Sequence, residues 1–185
     1  MKSCFATILP ARTAVAFAVL AAAAAAVLAP LPATAATAAR TAGSPEVVVI
    51  SAQGAPLADI DQKVFATLLP VPPPAEFVVT PVSGGVQLTD RATGGVVYAP
   101  DTEPLTQLAL APAGHTPANS VWILRDAGGN ILDSIPASGA YELELKGTGQ
   151  YMGRAPNEDR SLLPKRVVLL PAGYPPYVLT VERIS

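Results

Sequence analysis

From Glu46 onward, short apolar runs recur about every 8 to 15 positions, each closed by Pro, Gly, Asn or Asp. The runs are rich in Val, Ile and Leu, and no segment holds a convincing 3.6-residue period. Such a chain cannot bury its apolar side chains as helices. It predicts an all-β domain, an antiparallel β-sandwich of immunoglobulin-like or jelly-roll-like form with about 9 to 11 short strands. The candidate strands are 46–51, 63–69, 76–80, 86–89, 96–99, 105–109, 120–125, 131–135, 140–146, 166–170 and 177–184. Residues 57–69 and 104–110 leave room for a short helical turn.

Several pieces are well marked. Tyr141-Glu142-Leu143-Glu144-Leu145-Lys146 alternates strictly, so Tyr141, Leu143 and Leu145 share one face and the charges share the other. This is the signature of a half-buried antiparallel strand. Strands 120–125 and 131–135 flank Asp126-Ala127-Gly128-Gly129-Asn130, whose glycines accept the positive φ of a tight connection. Gly84-Gly85 and Gly94-Gly95 predict two more hairpin turns, and with them a meander over 76–99. Trp122 lies among Val121, Ile123 and Leu124, so both faces of its strand are apolar and the indole belongs in the core.

The start of the chain has a different character. Lys2 and Arg12 precede an apolar stretch over 14–29, and small residues then offer cleavage after Ala35 or Ala38. This is the layout of an export signal, expected to end near residue 38. An uncleaved anchor is the competing reading. Pro30 and Pro32 interrupt the stretch after 16 residues, ten of them Ala, whereas a spanning helix needs roughly 20 apolar positions. The expected location is therefore outside the cytosol, periplasmic or secreted, in a bacterial envelope, with no membrane insertion of the mature domain.

Export has chemical consequences. Cys4 is the one cysteine and lies inside the leader, so the mature chain holds no disulfide, thiolate metal site or cysteine nucleophile. Its stability rests on the core alone, and about 150 residues suffice for one. Without Lys2 and Arg12 the chain carries 10 basic and 14 acidic residues, a formal charge of −4, with no basic run. Nucleic acid is not an expected partner.

The organisation read from composition is a leader at 1–38, a flexible tail at 39–45, N-terminal strands at 46–69, a Pro-rich linker at 70–75 and the main domain at 76–185. Pro70-Val71-Pro72-Pro73-Pro74 cannot donate to a ladder at four of its five positions. The small N-terminal piece would be marginal alone and should pack on the larger unit. A weak echo also runs through the chain: Pro112-Ala113-Gly114, Pro136-Ala137-Ser138-Gly139 and Pro171-Ala172-Gly173 each precede a strand. Its irregular spacing reads as recurrent corner chemistry rather than as a repeat.

Few residues carry catalytic chemistry. His115 is the one histidine and sits in a Gly/Pro-rich loop, where a multi-histidine metal site cannot form. No serine stands in a nucleophile-elbow context. Near pairs of carboxylates occur at Asp59/Asp61, Asp101/Glu103, Glu142/Glu144 and Glu158/Asp159. A glycosidase would need two of them across a cleft, whereas turn capping and solvation account for each. Asp126 with Asn130, or Asn157 with Glu158 and Asp159, could offer hard oxygen ligands to calcium, but turn formation accounts for both sets. No cofactor is expected.

The longest stretch without a strand pattern is 147–164, and a loop of this length is either functional or disordered, with solvation by its Arg and Asp side chains the competing reading. Its Tyr151, Arg154, Asn157, Asp159 and Arg160, with Tyr174 from the rigid turn Tyr174-Pro175-Pro176-Tyr177, are the candidate binding residues. An aromatic ring beside such donors and acceptors can stack on a sugar or dock on a protein. The reading that results is a non-enzymatic exported module that binds an envelope or extracellular protein or glycan. The alternatives are an assembly subunit acting by strand addition through 46–51 or 177–184, and a carboxylate-dependent hydrolase.

Overall fold

The computed structural model describes residues 46–158 and 163–184. The leader and tail read at 1–45 lie outside them, as do Asp159 and Arg160. The described strands fall into three lobes of four. The first holds β1 (Glu46–Ala52), β2 (Ala55–Ile60), β3 (Lys63–Ala66) and β4 (Glu76–Val82). The second holds β5 (Gly85–Asp90), β6 (Val97–Tyr98), β7 (Ala109–Leu110) and β8 (Trp122–Asp126). A short strand, β9 (Ile131–Leu132), folds back on β8. The third lobe then follows as β10 (Gly139–Leu145), β11 (Gln150–Arg154), β12 (Lys165–Leu170) and β13 (Leu179–Ile184).

The outer strands of each lobe form a closed ring. β1 pairs β4, β4 pairs β5, β5 pairs β8, β8 pairs β10, β10 pairs β13, and β13 returns to β1, all antiparallel. The inner strands make three hairpins, β2–β3, β6–β7 and β11–β12. These meet one another through β3–β7, β3–β12 and the Gln107–Val168 bridge. A six-stranded barrel capped by three hairpins is a β-trefoil.

The antiparallel all-β expectation holds, and the two apolar layers of the expected sandwich are opposite walls of one barrel. The reason is the pairing of the first and last strands, Val47 with Ile184 through Ser51 with Thr180. Closure removes free edges. β1 has β4 on its other side and β13 has β10, so neither terminal strand offers the unpaired edge that strand addition between subunits requires. β1, β2 and β3 belong to the barrel and its cap, and residues 70–74 connect β3 to β4 within one lobe.

Alternation along each barrel strand supplies the core. Val48 and Ile50, Phe77 and Val79, Val86 and Leu88, Trp122 and Leu124, Leu143 and Leu145, and Leu179 and Val181 are all buried in one contiguous cluster. Their intervening neighbours are more exposed, as a period of two dictates. Trp122 Nε1 donates to the Val97 carbonyl at 3.3 Å, joining the barrel to the second-lobe cap. Tyr141 packs into the core and donates its hydroxyl to the Ala137 carbonyl at 2.7 Å.

Two members of the sequence echo occupy equivalent places. Pro112-Ala113-Gly114 follows β7 and Pro171-Ala172-Gly173 follows β12, each leading toward the closing strand of its lobe. Both are the same turn: His115 N donates to Pro112 O and Tyr174 N to Pro171 O, each at 3.0 Å. Gly114 and Gly173 supply the positive φ it needs, 78° and 83°. The echo between these two is thus threefold geometry, not generic corner chemistry. Pro136 lies between lobes and does not share it.

Candidate functional site

Strand β11 occupies part of the expected long loop 147–164. Gln150-Tyr151-Met152-Gly153-Arg154 is held between β10, where Glu144 faces Tyr151, and β12, where Tyr151 faces Leu170 and Arg154 faces Val167. Gln150 and Met152 are buried, and Gln150 Nε2 ties the strand to the Thr102 carbonyl at 3.1 Å. Residues 155–164 lie between β11 and β12, and of these 155–158 and 163–164 are described.

The end of β11, the start of that loop and the turn after β12 enclose a cleft of about 440 Å³ against the β1–β2 turn. Its chemistry comes from Gln53, Arg154, Glu158, Tyr174 and Tyr177. Arg154 Nη1 reaches Gln53 Oε1 at 3.4 Å, a long bond that spans the cleft from β11 to the β1–β2 turn. Glu158 is committed elsewhere. Its carboxylate accepts the Arg166 backbone amide at 3.0 Å and Arg166 Nε at 2.7 Å, pinning the loop to β12. Tyr174 presents a ring that is 45% exposed.

Tyr177 forms the floor. Its ring lies against a small apolar cluster of Ala155, Val168 and Leu170, separate from the barrel core. Its hydroxyl is buried and finds no hydrogen-bond partner among the described residues. Burial pushes this phenol above its ordinary range, while the nearby Arg154 amide and guanidinium oppose the shift. The ring can come this close because residue 153 has no side chain. A Cβ on Gly153 would lie 2.6 Å from Leu170 Cδ1 and 2.8 Å from Tyr177 Cγ. Gly153→Ala is therefore expected to displace Tyr177 and destabilise the fold by about 1–3 kcal/mol. A lower melting temperature together with a tyrosine absorbance shift toward solvent checks this; an unchanged spectrum would refute the packing.

Of the six residues singled out from sequence, the fold brings two together in the cleft, Arg154 and Tyr174. Tyr151 lies outside it, half-buried on the ladder opposite Glu144. Asn157 is exposed on the connection beside the cleft. Asp159 and Arg160 are not among the described residues. Gln53 and Tyr177 were missed as site residues, and Glu158 was noted only as half of a carboxylate pair and a possible calcium ligand. Gln53 is 101 positions from its partner Arg154, and no local pattern signals such a meeting.

The first lobe has a corresponding cleft of about 610 Å³, between Asp59, the 72–74 prolines and the 90–93 turn. Burial, and then the charges of Asp90 and Asp61, raise the Asp59 carboxyl, while the Gln62 amide hydrogen bond opposes them. Asp90 is held by the Thr93 amide and hydroxyl. Glu144, Asp101 and Asp126 are likewise occupied. Glu144 pairs with Arg125 at 2.9 Å, and Asp101 accepts from the Thr106 hydroxyl and the Glu103 amide. Asp126 accepts from Gly128 N, Asn130 N and Asn130 Nδ2, which lowers its pKa and accounts for the Asp126/Asn130 pair as turn chemistry. Among the described residues no three His, Cys, Asp or Glu side chains gather as a metal site would require.

The model of the family described as peptidase inhibitor I66 matches residues 134–184, which contain the third lobe and every lining residue of its cleft except Gln53. No curated protein sequence matches the chain. Among solved structures, the SDF2-like protein from Arabidopsis thaliana superposes with a TM-score of 0.57 at 10% identity, over 75% of this chain and 92% of that one. A ricin B-like lectin from Macrolepiota procera, in complex with lactose, gives 0.55 at 12% identity, over 76% and 97%. At these identities the likeness is one of fold.

Proposed function

We propose that this chain is an exported, non-enzymatic binding module whose partner is a protein, and that the protein is a peptidase held by the third lobe. One coincidence carries the reading: the inhibitor-family match falls on the lobe that also holds the cleft and the 155–164 loop. The engaged carboxylates Asp90, Asp101, Asp126, Glu144 and Glu158 support a role without catalysis. The leader at 1–38 supports action outside the cytosol, in the periplasm or medium, where peptidases of the same compartment are the partners at hand.

Within the loop, Arg160 is the side chain that a peptidase selecting basic residues would accept, since such enzymes carry a carboxylate at the base of their specificity pocket. The flanking residues Asn157 and Leu163 are exposed. Purified full chain is expected to inhibit trypsin-like peptidases, and Arg160→Ala to weaken that inhibition by about 100-fold, the scale of a central interface residue. Inhibition constants with a chromogenic substrate measure this. Absence of inhibition across peptidases of basic and apolar preference would refute the proposal.

A glycan partner is the second reading. It is favoured by the cleft itself, where Tyr174 and Tyr177 flank Arg154 and Gln53. Retention on an immobilised glycan column, uncompeted by peptidase, would select it.

A further inference from the structure

The cleft of the first lobe is the threefold counterpart of the third-lobe cleft, and the ladder registers say which residues correspond. Pro56 lies opposite Ser51 as Tyr151 lies opposite Glu144, and Asp59 lies opposite Val64 as Arg154 lies opposite Val167. Asp59 thus holds the place of Arg154. In the neighbouring lobe Thr89 bridges Val96 as Ser51 pairs with Pro56, so Arg91 holds the place of Gln53. Phe77 faces Val48 and Leu179 faces Tyr141 within their own lobes, which sets Ala75 where Tyr177 stands. The absent ring helps account for the larger volume, about 610 Å³ against 440 Å³.

The two clefts use this pair differently. In the third lobe Arg154 reaches across to Gln53. In the first lobe the corresponding Asp59 and Arg91 carry opposite charges and yet do not meet, because Arg91 Nη1 turns to Glu76 Oε2 at 2.8 Å. Asp59 Oδ1 accepts the Gln62 amide at 2.9 Å, and its carboxylate makes no ion pair with a described residue. Asp90, buried in the same wall, is held by neutral donors, the Thr93 amide and hydroxyl. Arg91 offsets Glu76, so Asp59 and Asp90 leave the cleft with two uncompensated negative charges. Burial pushes the Asp59 carboxyl above its ordinary range, the cost that a cation seated beside it would relieve.

The rest of the lining says which kind of cation fits. Among the described residues no three acidic side chains gather to hold a metal ion, and no aromatic ring lines this cleft to stack on a sugar. Pro72, Pro73, Pro74 and Ala92 give it an apolar wall instead, the surface along which an aliphatic stem with a charged head packs. We propose that the first-lobe cleft receives a basic side chain, arginine or lysine, of a partner protein, its head on the Asp59 carboxylate and its stem along the prolines. This contact is separate from the third lobe and does not depend on the partner's being a peptidase.

Nitrogen-15 NMR titration of the full chain with Nα-acetyl-arginine amide and Nα-acetyl-lysine amide tests it. Both should bind saturably, with Kd of about 1 mM for a single side chain, and shift the Gln62, Ala92 and Thr93 amides. Nα-acetyl-norleucine amide, which has the stem without the charge, should bind at least about tenfold more weakly. Asp59→Asn keeps an oxygen for the Gln62 amide and so should keep the fold, yet should weaken both cations by about tenfold. Glu182→Gln, which removes one negative charge from an exposed position on β13, should leave binding as it was. Equal binding of the norleucine probe, binding indifferent to Asp59→Asn, or no binding of either cation would overturn the proposal. Saturation by glucosamine alone would overturn it too, assigning the cation to an amino sugar. None of these outcomes bears on inhibition through Arg160, so the two readings fail separately.

Discussion

Replacing Trp122 with alanine is expected to lower the unfolding free energy by about 3–5 kcal/mol, the range for deleting a large buried aromatic side chain. The residue is fully buried on β8, where it stands opposite Leu145 of β10 and Val86 of β5. Its loss removes contact with both neighbouring strands and leaves a cavity in a wall of the ring. It also orphans the Val97 carbonyl, which the indole N–H satisfies from the cap. Against a total stability of about 5–15 kcal/mol for a domain of this kind, this loss is a large share of the fold's margin. Because Trp122 is the one tryptophan, urea denaturation must be followed by far-ultraviolet circular dichroism. A midpoint shift equivalent to less than 1 kcal/mol would be incompatible with the indole's place in the barrel.

Gly85→Ala should cost about 3 kcal/mol or more, at the upper end of overpacking, although it adds one methyl group. That methyl would lie 2.3 Å from the Trp122 carbonyl oxygen and 3.0 Å from its carbonyl carbon. Those are backbone atoms and cannot swing aside. Relief requires β5 and β8 to separate, yet they pair at Val86 with Trp122, and this contact within lobe two carries the ring from β4 on one side to β10 on the other. Gly54→Ala is the control. Gly54 has a positive φ of 78° but open space around it, so its substitution should cost only the roughly 1 kcal/mol of the backbone conformation. Equal losses at the two sites, by thermal or urea denaturation, would refute the close-approach argument.

Both predictions depend on contacts between strands far apart in sequence, and that divides what could be read from the chain and what could not. β1, β4, β5, β10, β12 and β13 were legible because alternation and β-branched composition are local signals. So were the turns at 126–130 and 84–85, where glycine or Asx chemistry sets the backbone. β2 and β11 were not. Ala55-Pro56-Leu57-Ala58-Asp59-Ile60 holds residues depleted in strands, and Gln150-Tyr151-Met152-Gly153-Arg154 shows no alternation. Pairing with β3 and β1, and with β10 and β12, overrides these weak propensities. The candidate site divided in the same way. Arg154 and Tyr174 stood out by residue type, whereas Gln53 and Tyr177 joined them through the cap and through the missing side chain at Gly153.

The chain by itself determined that it would be strands, where most turns fall, and which side chains turn inward, because a period of two and the special φ of glycine and proline act within a few residues. Only the tertiary structure decided that those strands close into a barrel, that two distant Pro-Ala-Gly turns are equivalent, and that Asp59 and Arg154 hold equivalent places. Each of these depends on which strand becomes whose neighbour. That choice is made by burying the whole core at once, and no local segment encodes it.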